Sequence, residues 1–210
     1  MGRQELADVQ EGATSTSAAV TGTYSVNGSG YGTITITPGT TQNLSVLSLY
    51  LTDPTINPTD PNSPADAGLA GLLIDLDTNL IGSGWLILPA AGTPTFTAGN
   101  FSVATSASNT NNELDSVGVV AVNGTSLTGA VNVNDLFNTV LTGQNAAAAI
   151  SGTLVPDGAN AGRFTVSVAE TLGTTPPTLK FVIYQASNSQ LIVLQVDATQ
   201  FASGTLQKQQ

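Results

Sequence analysis

Part of this chain is written twice. Gly22-Thr23-Tyr24, Gly28 and Gly32-Thr33-Ile34-Thr35-Ile36 return as Gly152-Thr153-Leu154, Gly158 and Gly162-Arg163-Phe164-Thr165-Val166, at one offset of 130 residues. Leu73-Ile74-Asp75-Leu76-Asp77 and Ser83-Gly84-Trp85-Leu86 return as Val193-Leu194-Gln195-Val196-Asp197 and Ser203-Gly204-Thr205-Leu206, at an offset of 120. An internal repeat constrains a fold more than any single motif, because each copy is one supersecondary unit that packs with its like.

The repeated unit is made of strands. Ile34 and Ile36 point one way while Thr33, Thr35 and Thr37 point the other; Phe164, Val166 and Val168 alternate likewise with Thr165 and Ser167. Period-two alternation marks a strand with one core face and one solvated face. Asn27-Gly28-Ser29-Gly30 and Pro156-Asp157-Gly158 supply turns ahead of these strands, and the paired glycines Gly28/Gly158 and Gly32/Gly162 read as positions needing positive φ. A phosphate cradle is a poorer reading, since no helix follows.

Five antiparallel strands are predicted per copy, near 18–26, 31–37, 44–52, 70–77 and 82–88, then near 147–155, 162–168, 178–185, 190–197 and 203–208. The offset reaches 134 at Tyr50/Tyr184 before falling to 120, which leaves 14 extra residues in the first copy. They match the Pro/Asp-rich loop 53–66, whose prolines favour an extended surface excursion. Between the copies, 101–105, 116–122 and 126–133 read as three more strands, with Asn123-Gly124 as a hairpin turn. Residues 134–144 read as a short helix or a loop, and Ala146–Ala149 as the start of a strand.

Composition narrows the chemistry. The chain is 40% hydrophobic but only 9% charged, with four Lys and Arg against fourteen acids and a formal charge of −10. That balance argues against binding nucleic acid or anionic membranes, because phosphates would be repelled. There is no cysteine and no histidine, which removes disulfides, thiol nucleophiles, the commonest general base and the commonest zinc ligand. No apolar run reaches the length of a membrane span, and Met1-Gly2-Arg3-Gln4 leads into an acidic stretch without the apolar segment of a signal peptide. An export signal is expected upstream. A hydroxyl-rich, lysine-poor chain without cysteine points to a bacterial or archaeal exterior.

Leu44–Leu51 and Leu191–Val196 are largely apolar on both faces, so these strands are expected to be central or to lie at an interface.

The pattern of Gly152–Val168, Phe181–Tyr184, Leu191–Asp197 and Ser203-Gly204 through Gln209 resembles a repeat of large exported proteins from acidobacteria and related soil bacteria. The resemblance implies a unit that begins with strands like Asn100-Phe101-Ser102-Val103 and runs on through Gly118–Ala121 and Leu127-Thr128-Gly129. Residues 97–210 would then be one complete unit of about eight strands, and 1–96 the latter part of another. The resemblance implies location and architecture, not a reaction. The loop 53–66 and Trp85, which stands where the second copy has Thr205, depart from the repeat.

Few residues are candidates for chemistry. Asp75-Leu76-Asp77-Thr78-Asn79 resembles the start of a calcium loop, but Leu80 replaces the glycine and no terminal glutamate follows. Asp53, Asp60 and Asp66 in the inserted loop are a candidate calcium set, although Asp is also the ordinary companion of proline in turns. Asp75/Asp77 and Glu113/Asp115 are close carboxylate pairs, but glycosidases place their two acids by fold, not by local spacing. Trp85 and Tyr31 are a candidate carbohydrate-stacking platform, against a reading in which Trp85 packs in the core beside Ile87. Lys180 suggests an intramolecular lysine cross-link, or simply a snorkelling side chain.

The expectation is therefore an all-β chain of antiparallel meander repeats, forming a β-barrel or a two-layer β-sandwich. Its expected role is non-catalytic: a self-associating structural module of a bacterial cell-surface or extracellular fibre protein, without a cofactor apart from the calcium considered above. The alternatives are a module binding carbohydrate or another small ligand, with polysaccharide as partner, and a component of a virion or phage tail. Neither nucleic-acid binding nor membrane insertion is expected.

Overall fold

A computed structural model describes residues 5–11, 14–37, 45–52, 68–77, 82–88, 98–108, 112–137, 140–158, 160, 162–170, 178–197 and 201–209. All the regular structure among them is β-strand. The chain forms two compact units, the first of Met1–Val9 and Thr16–Ala90 and the second of Gln10–Ser15 and Ala91–Gln210.

The second unit is a closed antiparallel barrel, so of the two expected architectures the barrel is the one formed. Its strands are β7 (Gly99–Ser108), β8 (Asn112–Asn123), β9 (Ser126–Phe137), β10 (Val140–Pro156), β11 (Arg163–Glu170), β12 (Thr178–Gln185), β13 (Gln190–Gln195) and β14 (Phe201–Lys208). Sequence neighbours pair throughout, and β14 returns to β7 to close the ring. The inward positions of the alternation fill it: Phe101, Val120, Leu127, Leu154, Val166, Ile183, Leu191, Val193 and Leu206 make one buried cluster. Hydroxyl and small residues such as Ser102, Ala104, Ser106, Thr128, Ser151, Thr153 and Ser167 face out. An eight-stranded barrel is just narrow enough for side chains to fill.

Close strand approach explains several glycines. A Cβ on Gly118 would lie 2.2 Å from the Ala130 carbonyl oxygen and 2.7 Å from the Val131 Cα. The turn glycines act differently. Asn123 pairs with Ser126 across a two-residue loop in which Gly124 has φ 58°, as a tight hairpin turn requires. Residues 134–137 and 140–144 belong to β9 and β10, so the helix-or-loop expectation there gives way to strand. Closing the ring extends both strands. β10 bends at register shifts between Leu141/Gly143 and Asn145/Ala148, where Asn132 Oδ1 accepts a hydrogen bond from Ala147 N at 2.7 Å.

The first unit is a six-stranded open sheet in the order β1 (Glu5–Glu11), β2 (Thr14–Val26), β3 (Tyr31–Thr37), β4 (Val46–Leu51), β5 (Gly68–Asp75) and β6 (Ser83–Leu88). Its pairings repeat those of the barrel. Leu49 faces Leu73 as Ile183 faces Val193, and Leu73 faces Gly84 as Val193 faces Gly204. By position β2–β6 correspond to β10–β14, and β1, beside β2, takes the place of β9. The first copy therefore lacks counterparts of two barrel strands, β7 and β8, and not of the three that the sequence suggests.

The glycine matching also shifts. Gly30 has φ 82° and Gly162 has φ 83°, and their carbonyls accept from Leu51 N and Gln185 N, each at 2.8 Å. Gly30 is thus the partner of Gly162, an offset of 132, while Gly32 matches Phe164. Neither Gly28 nor Gly158 adopts positive φ. Gly32 is required for a different reason: its Cβ would lie 2.1 Å from the Ser25 carbonyl oxygen. The longer second turn is held by Asp157, which accepts from Asn160 Nδ2 at 3.0 Å and from Arg163 Nη1 at 2.9 Å. In the shorter first turn Asn27 Oδ1 accepts from Ser29 N at 3.0 Å and Tyr31 N at 3.1 Å. A slip of two residues preserves side-chain parity, so the inward and outward faces match the alternation.

Gly118→Ala should destabilise the barrel by about 2–4 kcal/mol, because the new methyl meets backbone on both β9 contacts and cannot be relieved by a rotamer change. Urea unfolding followed by far-UV circular dichroism measures this; a change below about 0.5 kcal/mol would refute the close-approach account.

Candidate functional site

Tyr31 and Trp85, the proposed stacking pair, lie on one face of the open sheet at the ends of a row that crosses four strands. Tyr31 faces Tyr50, Tyr50 faces Leu72, and Leu72 faces Trp85 in successive cross-strand pairs. Their exposures are 40%, 49%, 45% and 53%, and the Tyr31 and Tyr50 ring centroids are 5.2 Å apart. With strands about 4.8 Å apart the row is about 14 Å long. Trp85 is therefore an exposed side chain and not a core one. Period two shows that it shares a face with Ile87 but not which face is covered. Tyr50 and Leu72 were not singled out from sequence, although the apolar second face of the third and fourth strands was their signal. The matching barrel row is Arg163, Tyr184, Ile192 and Thr205, so the first copy has exchanged a charge and a hydroxyl for aromatic rings.

The second feature of the sheet is its open side. In the barrel, Leu206 is 3% exposed and belongs to the cluster of Phe101 and Val120, whereas its counterpart Leu86 is 36% exposed. Tyr24, in the place of Leu154, is 78% exposed where the leucine is 3%. Leu86 lies on the edge strand β6, where β7 would stand.

Both carboxylate oxygens of Asp77 and one of Asp75 accept hydrogen bonds within the sheet. Asp77 Oδ2 accepts from Ser45 N at 2.5 Å and Val46 N at 3.3 Å, while Oδ1 bonds the Ser45 hydroxyl. Asp77 N in turn donates to Asp75 Oδ1 at 2.8 Å. The barrel repeats this clamp: Asp197 Oδ2 accepts from Lys180 N at 2.7 Å, and Oδ1 from Gln195 Nε2 at 2.9 Å. The repeated carboxylate ties the end of one strand to the start of its neighbour by satisfying backbone donors. The Ser45 side-chain bond, then its backbone bond, hold the Asp77 carboxyl below its ordinary range.

Glu113 and Asp115 are exposed on the outward face of β8, and Lys180 is exposed on β12. Asp53, Asp60 and Asp66 lie outside the described residues. Among the described residues no three acidic side chains gather as a metal-ligand group. The barrel interior retains a cavity of about 90 Å³, lined by Val103, Val131, Ile150, Phe181 and other apolar side chains with Thr105 and Ser116. An apolar cavity that binds benzene measures about 150 Å³, so this space is too small for a sugar.

No protein family, curated protein or solved structure matches the chain.

Asp77 makes the sheet's stability depend on pH with a defined sign. Its folded pKa lies below the unfolded value, so its contribution is present above the unfolded pKa and is lost as pH falls through the folded one. Trp85 is the single tryptophan and reports on the sheet alone. Fluorescence-detected unfolding should show wild type losing stability as pH falls below about 4, while Asp77→Asn is less stable at pH 7 and flatter across that window. Parallel pH profiles for the two proteins would rule out the clamp.

Proposed function

We propose that this chain is a non-catalytic structural module of an exported bacterial surface or extracellular fibre protein, and that it assembles through β-strand edges. The observation that carries this reading is the pairing, in one chain, of a closed eight-stranded barrel with a six-stranded open sheet built on the same registers. An open edge presents a row of unpaired N–H and C=O groups and templates further pairing. Natural edges are blunted by charge, proline or brevity; β6, Ser-Gly-Trp-Leu-Ile-Leu, has no charge and no proline.

The outer face of the barrel is mixed: Ser102, Ser106, Thr128, Ser151, Thr153 and Ser167 are exposed on it together with Val117, Val119 and Val155. Its interior is an apolar cluster, unlike the polar interior of a membrane barrel. The clamped state of Asp77 and the outward placement of Glu113 and Asp115 favour a scaffold over a hydrolase.

Sedimentation velocity over a wide concentration range tests the assembly reading. The expected result is reversible, concentration-dependent association, with filaments or rings by electron microscopy at high concentration. A single monomeric species at every concentration would refute assembly between copies.

The exposed Tyr31–Tyr50–Leu72–Trp85 row favours a second reading, a platform on which sugar rings stack. Soluble polysaccharides should then change Trp85 emission saturably, and Tyr50→Ala should weaken the response at least tenfold. A glycan array without binders, together with unchanged emission, excludes it.

A further inference from the structure

The open side of the sheet has a defined shape, because the barrel shows what occupies the same place. In the barrel, the outer edge of β14 is covered by β7: Gly204 faces Thr105, Thr205 faces Ala104, and Leu206 faces Val103. Gly204 is a glycine because β7 is there. Its Cβ would lie 2.1 Å from the Ala104 carbonyl oxygen and 2.8 Å from the Thr105 Cα. The matching residue on β6, Gly84, has nothing within 4 Å of where its Cβ would stand. Within the open sheet this glycine has no steric cause, and a residue of low strand propensity weakens an edge. Its cause is supplied if a strand comes to lie along β6.

Three further observations fix what that strand belongs to. The first is topological: β6 stands in the place of β14 and β1 in the place of β9, so the two strands that the order leaves without a counterpart between them are β7 and β8. The second is the half-exposed Leu86, whose barrel counterpart is covered by the cluster to which β7 and β8 contribute Phe101, Val120 and Val122. The third is the register, which is conserved between the two units up to the very edge: Leu73 faces Gly84 as Val193 faces Gly204.

We propose that the gap between β6 and β1 accepts a two-stranded antiparallel hairpin of the β7–β8 kind, donated by another polypeptide carrying this repeat. The donor has strands of about ten residues. Its inward positions are apolar, as Phe101, Val103, Val120 and Val122 are; the strand that lies along β6 has small or hydroxylated outward positions, as Ser102, Ala104 and Ser106 are, and its backbone runs close against Gly84. Edge hydrogen bonds supply affinity, and the Gly84 and Leu86 positions supply register. This inference rests on the edge-assembly reading and names its partner.

The test uses the full chain with a peptide of residues 98–123, which contains no tryptophan. Trp85, on the accepting strand, is the probe. Addition of the peptide should change Trp85 emission saturably with a Kd in or below the micromolar range. A second measurement removes dependence on peptide solubility: a copy of residues 98–123 joined ahead of Gln4 by a flexible linker should raise the urea midpoint of the Trp85 transition. Gly84→Val should leave the unmodified chain's own urea midpoint unchanged or raise it, since its side chain enters open space and valine favours strand, yet should reduce the peptide response at least tenfold and abolish the gain from the fusion. Equal responses in wild type and Gly84→Val, or no response to either peptide or fusion, would overturn the proposal. Self-association that persists unchanged in Gly84→Val and ignores the hairpin would overturn it while leaving edge assembly standing. Conversely, a monomeric chain that takes up the hairpin would refute pairing between copies and support this partner.

Discussion

Backbone hydrogen bonding at strand edges is the constraint from which the rest of this molecule follows. A sheet buries one face and pairs its interior strands, but its two outer strands leave a row of polar groups that only another strand, water or a covering element can satisfy. The barrel meets the constraint by closure, with β14 pairing β7 and β9 pairing β10. Paired strands approach closely in both units: the glycines at 118, 129, 152 and 204 in the barrel, and at 22 and 32 in the open sheet, stand where a Cβ would strike a neighbouring carbonyl. The open sheet uses the same strands and the same pairings without the ring.

This contrast assigns a meaning to residues that look alike in the two copies. Leu206 and Leu86 occupy one position in the repeat, yet the first is core and the second is half-exposed surface. Gly204 and Gly84 do likewise, the first wedged against β7 and the second facing open space. Side-chain packing does not distinguish the copies here; the presence of a neighbouring strand does. The aspartate clamp, by contrast, is indifferent to closure. Asp77 and Asp197 each accept the backbone N–H at the start of the adjacent strand, because that junction is local to two strands and exists in both units.

Most of the strands were legible in the sequence because alternation is a local signal. The segments that were not legible failed for local reasons. The run Asn132–Asp135 is too polar to read as a continuing strand, and β1, Glu-Leu-Ala-Asp-Val-Gln-Glu, carries neither the glycines nor the threonines that mark the repeat. The match of Gly32 to Gly162 was a matter of spelling; positive φ at Gly30 and Gly162 corrects it by two residues without moving any side chain to the other face. Residue type alone marks Tyr31 and Trp85 as a stacking pair. That Tyr50 and Leu72 join Tyr31 and Trp85 into one row depends on the register of three strand pairs, which no local window contains.

The amino-acid sequence by itself determined that this chain is built of antiparallel strands, that one unit is used twice, which side-chain parity is apolar, and that thiol and imidazole chemistry are unavailable to it. Those properties reside in composition and in correlations over a few residues. Tertiary structure alone decided that eight strands close into a barrel and not a sandwich, that the first copy is short by two strands and not three, and that Trp85 faces out. Period-two alternation is the same in a barrel and in a sandwich, and only the nonlocal pairing of β14 with β7 chooses between them.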